Sequence, residues 1–383
     1  MLTKLFDISF EKVRADFVAA ALVPSLTFVL VVTLLFGPIL PPGLLARLQN
    51  ATLFGQEGFL LLALTLVIGF ILSSMNTFIY KIFEGYLFLE HLPLARRSQR
   101  RAALRLRQLI DEKRDALGRL RDQEADAAQL RDLEDELYYS TATYQLSFPP
   151  SDESVMPTRL GNILRAAESY SSDRYGIDAV LMWPRLIHVI PDRYYDKVEQ
   201  SNNGLAFLIN CSLLSLILAL LSALASGYQY LLSRCSSLGL SAPLYFISVD
   251  LPSQIYWQRA ILYLIASGFM LLACFIFYKA ALPIATQYGN MVRSTFDLFR
   301  FDLLAQLKLA LPEDSDAEQD TWRKVSEFMA ISDMAGPLKF EYQTSVKEDE
   351  EESASSDIET RATRQGWIVR ALHRLADTIQ GTH

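Results

Sequence analysis

At 383 residues, with 51% hydrophobic residues and a formal net charge of −7, the chain is long enough for two ordinary soluble domains. Its apolar residues are bunched into four blocks and its charge is segregated by sign along the chain, so the distribution, unlike the average, speaks against a purely soluble globule. Three irregularly spaced cysteines, Cys211, Cys235 and Cys274, indicate neither a disulfide framework nor a thiolate metal site.

Residues Met1 to Asp16 place Leu2, Leu5, Phe6, Phe10 and Val13 at helical spacing, which predicts an interfacial amphipathic helix over residues 1–16. A first membrane hairpin is expected over 17–90, with spans Phe17 to Phe36 and Phe59 to Tyr80. Pro24 should kink the first span, a departure that lipid-embedded helices tolerate when a neighbour satisfies the freed carbonyl. Tyr80, Phe83, Tyr86 and Phe88 form an aromatic collar at the end of the second.

The run Arg96 to Arg121 carries ten Lys or Arg against three Asp or Glu, and it sets the orientation, because positive charge near a span is retained on the cytoplasmic face. A cytoplasmic helical domain is therefore expected over 91–203. Its first part reads as a long helix from about Leu94 to Leu137, on which Leu106, Leu109, Ala116, Leu120, Ala127, Leu130 and Leu137 approximate a 3-4 stripe. Charge reverses from net +7 over Arg96 to Arg121 to net −6 over Asp122 to Leu137. Three readings stay open: a solvated helix packed on its own domain, a helical hairpin, and an intersubunit coiled coil in a homo-oligomer.

Thr158 is a good N-cap for a helix whose apolar face is Leu160, Ile163, Leu164, Ala167 and Tyr170; Gly176 breaks it, Asp178 caps a second short helix, and Trp183-Pro184 bends that one. Within this bundle Arg159, Asn162, Arg174, Tyr175, Asp178, Trp183 and Arg185 are the candidate core or docking residues. The charged groups of DRYGID and PDRYYD either cap helices and close a salt-bridge network or serve something more specific. The runs PTRLGN, DRYGID and WPRL, with QYGNMVRSTFDLFRFDLL beyond the last apolar block, resemble a set of uncharacterised bacterial inner-membrane proteins over roughly Pro157 to Met329. The resemblance implies a bacterial inner-membrane location and four spans with a cytoplasmic insert, and it carries no activity.

A second hairpin is expected over 204–282, with spans Leu205 to Ser226 and Ala260 to Leu282 joined by an outer loop from Gly227 to Arg259. Ser212, Ser215, Ala219, Ser222 and Ser226 recur at spacings of 3, 4, 3 and 4. That stripe is either a close helix-packing seam or a hydroxyl-lined pore wall. A helical extension is expected over 283–346, ended by Pro312 and followed by an acidic helix around Trp322 to Phe328. Residues 347–383 read as an acidic linker and a basic amphipathic helix, whose Arg364, Trp367, Arg370 and Arg374 suit a membrane surface or a docking partner.

The four histidines are scattered, and the phosphate-binding, nucleophile-elbow and metalloprotease motifs are missing, so neither enzyme chemistry nor a metal or cofactor is expected. The fold class expected is an all-α membrane protein of four transmembrane helices with both termini cytoplasmic. The expected function is an oligomeric scaffold or sensor whose partners are the lipid bilayer and a soluble cytoplasmic protein, with no nucleic acid; the alternative is an oligomeric ion channel or membrane-disrupting effector. A peptide spanning Glu359 to Gly381 should become helical on anionic vesicles and much less so on neutral ones, because each basic residue near an anionic leaflet contributes about 1 kcal/mol. Circular dichroism and Trp367 fluorescence check this, and indifference to lipid charge would assign the helix to a protein partner.

Overall fold

The computed structural model describes residues 18–37, 55–87, 93–123, 126–237 and 252–330, together with Tyr342. The expected N-terminal amphipathic helix, most of the first loop, the collar residue Phe88, the acidic linker and the helix bearing Arg364, Trp367, Arg370 and Arg374 lie outside these residues. Among the described residues all regular structure is helical apart from one antiparallel bridge between Leu309 and Tyr342. The chain forms two compact units, Met1–Phe299 and Arg300–His383.

The helices are α1 (Val23–Phe36), α2 (Gln56–Ser74), α3 (Asn76–Glu84), α4 (Pro93–Asp122), α5 (Ala127–Ser147), α6 (Arg159–Tyr175), α7 (Ala179–Leu186), α8 (Asp192–Ser237), α9 (Ser253–Gln306) and α10 (Ser315–Ala330). Two of them, α8 and α9, are long and apolar enough to cross a membrane. A third candidate is α2 with α3, which meet at a 62° bend. The bend falls at Met75 (φ −95°, ψ 9°), just after the Ser73-Ser74 pair, a sequence that loosens the backbone ladder. The first apolar helix, Ala20–Phe36, is shorter. At 46 and 54 residues, α8 and α9 are about 70 and 80 Å long, so each extends well past a hydrocarbon core of about 30 Å.

These two rods lie antiparallel. Ser212 Oγ donates to Cys274 O at 3.0 Å, Ser267 Oγ to Ala219 O at 2.9 Å, Ser226 Oγ to Ala260 O at 2.7 Å and Ser233 Oγ to Ser253 O at 3.0 Å, partners falling along α9 as positions rise along α8. The connection between α8 and α9 is shorter than expected. With no proline between Gly227 and Ser237, α8 runs on to Ser237, α9 starts at Ser253, and Tyr230 and Trp257 meet with ring centroids 5.8 Å apart.

The entry to α1 is set by Pro24. Proline has no N–H, so the Ala20 carbonyl four residues earlier loses its helical donor, and Val18–Leu22 widens into a π-helical turn. The buried side chain of Asn210, on α8, takes that carbonyl: Nδ2 donates to Ala20 O at 2.8 Å. At its other end α1 is held by α9, where Tyr263 Oη donates to Leu35 O at 3.0 Å and its ring stacks on Phe36.

The long polar helix expected from Leu94 to Leu137 is two helices. The chain turns between Asp122 and Ala127, where the charge changes sign, and α5 returns along α4 as a hairpin. Its seam is Ala103, Leu106, Ile110, Lys113 and Leu117 on α4 against Leu130, Leu133, Leu137, Ser140, Tyr144 and Phe148 on α5, which displaces the predicted stripe: Leu109 is exposed. The acidic arm neutralises the basic one within the chain. Arg121 meets Glu134 at 2.7 Å, and Lys113 meets Glu136 at 3.2 Å and Ser140 Oγ at 3.0 Å. Such exposed pairs add little stability each, typically below about 1 kcal/mol, but the polar layer at Lys113 and Ser140 fixes the register.

In the second unit α9 ends at Gln306, before Pro312, through Lys308 in the left-handed region (φ 59°). Asp314 then caps α10, accepting from Ala317 N at 2.8 Å, and this helix is longer than the segment expected around Trp322. Trp322 and Val325 are buried, and Arg300 Nε meets Glu318 Oε1 at 2.7 Å.

Because Asn210 serves the carbonyl that Pro24 frees, the two residues should be coupled. Asn210→Ala should lower stability in detergent by about 1 kcal/mol, near the middle of the range for interhelical hydrogen bonds in membrane proteins. In a Pro24→Ala background, where the helix closes on itself, the same substitution should cost clearly less. Equal losses on the two backgrounds, read by thermal unfolding, would disprove the coupling.

Candidate functional site

The segment Pro157-Thr158-Arg159-Leu160-Gly161-Asn162 is where the apolar helices, the hairpin and the bundle meet. Thr158 caps α6 in the manner its side chain predicts, Oγ1 accepting from Gly161 N at 2.9 Å, and the same hydroxyl donates to Glu84 O at the end of α3, also at 2.9 Å. The α3 helix ends at Gly85 in the left-handed region (φ 97°), which glycine adopts without strain, and a Cβ there would stand 2.6 Å from Pro157 Cγ. Gly161 lies so close under α3 that a Cβ would stand 2.4 Å from the Glu84 carbonyl oxygen. Asn162 is fully buried. Its Oδ1 accepts from Met156 N at 2.7 Å, and its Nδ2 donates to Thr158 O at 2.9 Å, Met156 O at 3.1 Å and Gln99 Oε1 of α4 at 3.3 Å. Arg96 of α4 adds bonds of 2.9 Å to Val155 O and Glu153 O.

The DRYGID segment forms the far end of α6. Gly176 (φ 74°) closes the helix, Ser171 Oγ donates to Ile177 O at 2.9 Å, and Asp178 caps α7 by accepting from Leu181 N at 3.0 Å. Tyr175 Oη donates to Asp297 of α9 at 2.7 Å, and Tyr170 Oη to the same carboxylate at 3.1 Å. Burial pushes the Tyr170 phenol above its ordinary pKa and the Asp297 carboxylate adds to the push, so the phenol stays protonated as a donor. Arg174 lies 5.9 Å from the Tyr170 ring centre on one side and Arg293 of α9 lies 5.5 Å from it. In the hairpin, burial also raises the Tyr144 phenol, with the Arg107 guanidinium pulling against it. On α7, Trp183 packs on Phe296 with centroids 6.2 Å apart, and Arg185 Nη1 donates to Leu181 O at 2.6 Å.

The predicted residues thus divide into three places. Asn162 belongs to the corner beneath α3. Arg174, Tyr175, Asp178, Trp183 and Arg185 belong to the α6–α7 end. Arg159, in the first turn of α6, is exposed. The stripe is separate again: Ser215, Ala219 and Ser222 are buried, while the hydroxyls of Ser212 and Ser226 bond to α9 carbonyls. A cavity of about 390 Å³ opens between α3, α6, α7, α8 and α9. Glu84 and Glu168 line it with Tyr80, Trp183 and Tyr288; Tyr80 Oη donates to Asn202 Oδ1 at 3.1 Å, and Glu168 lies 3.3 Å from Arg165. Among the described residues no group of three His, Cys, Asp or Glu is placed to hold a metal ion.

Sequence reasoning did not single out Gln99, Arg96, Glu84 or Arg293. Asp297 lay inside the quoted FDLFRFDLL run, but nothing local marked it as the acceptor for two tyrosines more than 120 residues earlier. No protein-family model, curated protein or solved structure matches the chain.

The corner should be sensitive in two distinguishable ways. Gly161→Ala must push α3 off α6, because the obstacle is backbone oxygen, and should cost on the order of 1–3 kcal/mol as overpacking does. Asn162→Leu removes the carboxamide and strands Met156 N and the two carbonyls, with a loss of similar or larger size. Thermal unfolding of the two variants checks this; wild-type stability in both would mean that the corner is dispensable.

Proposed function

We propose that the chain is a membrane-anchored scaffold or sensor of the bacterial inner membrane, with four spans, both termini and residues 81–203 on the cytoplasmic side, and the α4–α5 hairpin as its docking element. The observation that carries this reading is how the hairpin is held. Arg96 ties α4 to the segment before α6, and Arg293 Nη2 ties α5 to α9 through Gln145 O at 2.8 Å, so one edge is anchored on buried groups. The other edge, with Arg97, Arg100, Arg101, Asp111, Glu112 and Asp115, stays exposed and charged. The anchoring cost is met by satisfied backbone bonds, which leaves the charged edge available for a partner.

The packed state of the stripe supports the same reading over a channel, since its buried members and bonded hydroxyls serve helix association. The basic arm α4 supports the orientation, because Lys and Arg near span ends are retained inside.

Impermeant maleimide applied to intact cells should label Cys235 and should fail to label a cysteine introduced as Gln129→Cys in a Cys235→Ser background. The reverse pattern would overturn the orientation. Conductance across liposomes carrying the purified protein would favour the channel in place of the scaffold.

A further inference from the structure

Between the hairpin, α6 and the inner end of the apolar stretch of α9 lies a second cavity, of about 380 Å³. Two cations line it, Arg159 from the first turn of α6 and Lys279 from α9, and no Asp or Glu does. Neither makes an ion pair with a described carboxylate. The contrast is with the hairpin, where Arg107 is paired with Asp152, Lys113 with Glu136 and Arg121 with Glu134. Lys279 has its ammonium 5.4 Å from the centre of the Phe275 ring, which leaves its charge uncompensated.

The first-turn amides of α6 are already engaged, Leu160 N by the Tyr278 hydroxyl and Gly161 N by Thr158, so a ligand here would be held by side chains. Thr143 and Thr286 spend their hydroxyl protons on Tyr139 O and Leu282 O. The hydroxyl of Ser147, which also lines the cavity, has no hydrogen-bond partner among the described residues and has a proton to give. A guanidinium fork, a point-like ammonium and a hydroxyl around one space match an anion with several acceptor oxygens. Gln99, whose Oε1 accepts from Asn162, also lines the cavity, and the rest of the wall is apolar, with Leu106, Phe148, Ile163 and Leu282. Basic pockets beside the cytoplasmic ends of membrane helices are where anionic headgroups bind.

We infer that this cavity binds a phosphoryl anion, carried by an anionic phospholipid headgroup or by a soluble phosphate. The inference does not depend on the hairpin docking a partner. The test uses the full-length protein in nanodiscs of phosphatidylcholine, alone, with added phosphatidylglycerol, or with millimolar inorganic phosphate in the buffer. Melting temperature is read throughout, together with the phosphatidylglycerol retained after detergent washing. Phosphatidylglycerol should raise the melting temperature of the wild type, and both Arg159→Gln/Lys279→Gln, which removes the charges, and Thr143→Trp, which fills the space and keeps them, should abolish the rise. Retention should fall roughly tenfold or more in the charge-removed variant, as expected for two basic residues near a headgroup. The double variant Arg193→Gln/Lys197→Gln, which removes two exposed charges from the start of α8, should behave as wild type. A rise with inorganic phosphate in neutral discs, lost in the same two cavity variants and unmatched by phosphatidylglycerol, supports the site and assigns it to a soluble phosphate. The proposal is overturned if the wild type responds to neither anion, if the rise survives in both cavity variants, or if the α8 control loses it equally.

Discussion

The architecture of the first unit depends on the burial of one carboxamide. Asn162 sits with no solvent access, and an amide removed from water is costly unless it is hydrogen-bonded. Its bonds go to Met156, Thr158 and Gln99, which means that the approach to α6, the first turn of α6 and the hairpin must all be in place for the group to be satisfied. Thr158 and Gly161 carry the constraint to α3, and Tyr278 and Gly289 bring in α9, the latter because a Cβ there would lie 3.0 Å from that of Ala167. Thr158, Gly161 and Asn162 of the PTRLGN run are thereby accounted for as a structural corner, each answering a particular contact.

Around that corner electrostatics act locally. The reversal of charge along residues 96–137 looked like a dipole in search of a partner, and the chain supplies the partner by folding back. Lys113 occupies a seam position where an aliphatic residue would have packed more tightly, and its ammonium reaches Glu136 and Ser140. One polar layer in an otherwise apolar seam favours a single register over its neighbours. The same economy holds at the other end of α6, where Asp297 accepts from two tyrosines flanked by arginines.

Features written into four or five consecutive residues were legible. The caps at Thr158 and Asp178 and the left-handed Gly176 are visible in a window of that size, and the apolar stretches of α8 and α9 stand out over about 20 residues by hydropathy alone. The break between α4 and α5 was not legible, since neither Gly nor Pro marks it and the pattern continues on both sides. The bend at Met75 escaped for the same reason, whereas α8 runs on through Gly227, where the loop was expected to begin. Partner identity was the larger gap. That a carbonyl near Pro24 would need a donor followed from the proline; that the donor would be Asn210 did not, because an isolated asparagine in an apolar block names no target. Likewise only the fold brings Arg159, a candidate core or docking residue, to one cavity with Lys279.

The bond from Asn210 to Ala20 also has a temporal side. Its ends are 190 residues apart in the chain, and at synthesis rates of about 5–20 residues per second the donor emerges roughly 10–40 s after the acceptor. On the four-span reading, the first hairpin enters the bilayer while the Ala20 carbonyl has neither a helical nor a tertiary partner, and hydrocarbon offers it none. The nascent hairpin is therefore an unfinished object for that interval, with its defect near the end that enters first. Its completion is tied to the arrival of α8, so a chain truncated before Asn210 lacks the donor that the Ala20 carbonyl finds in the full chain.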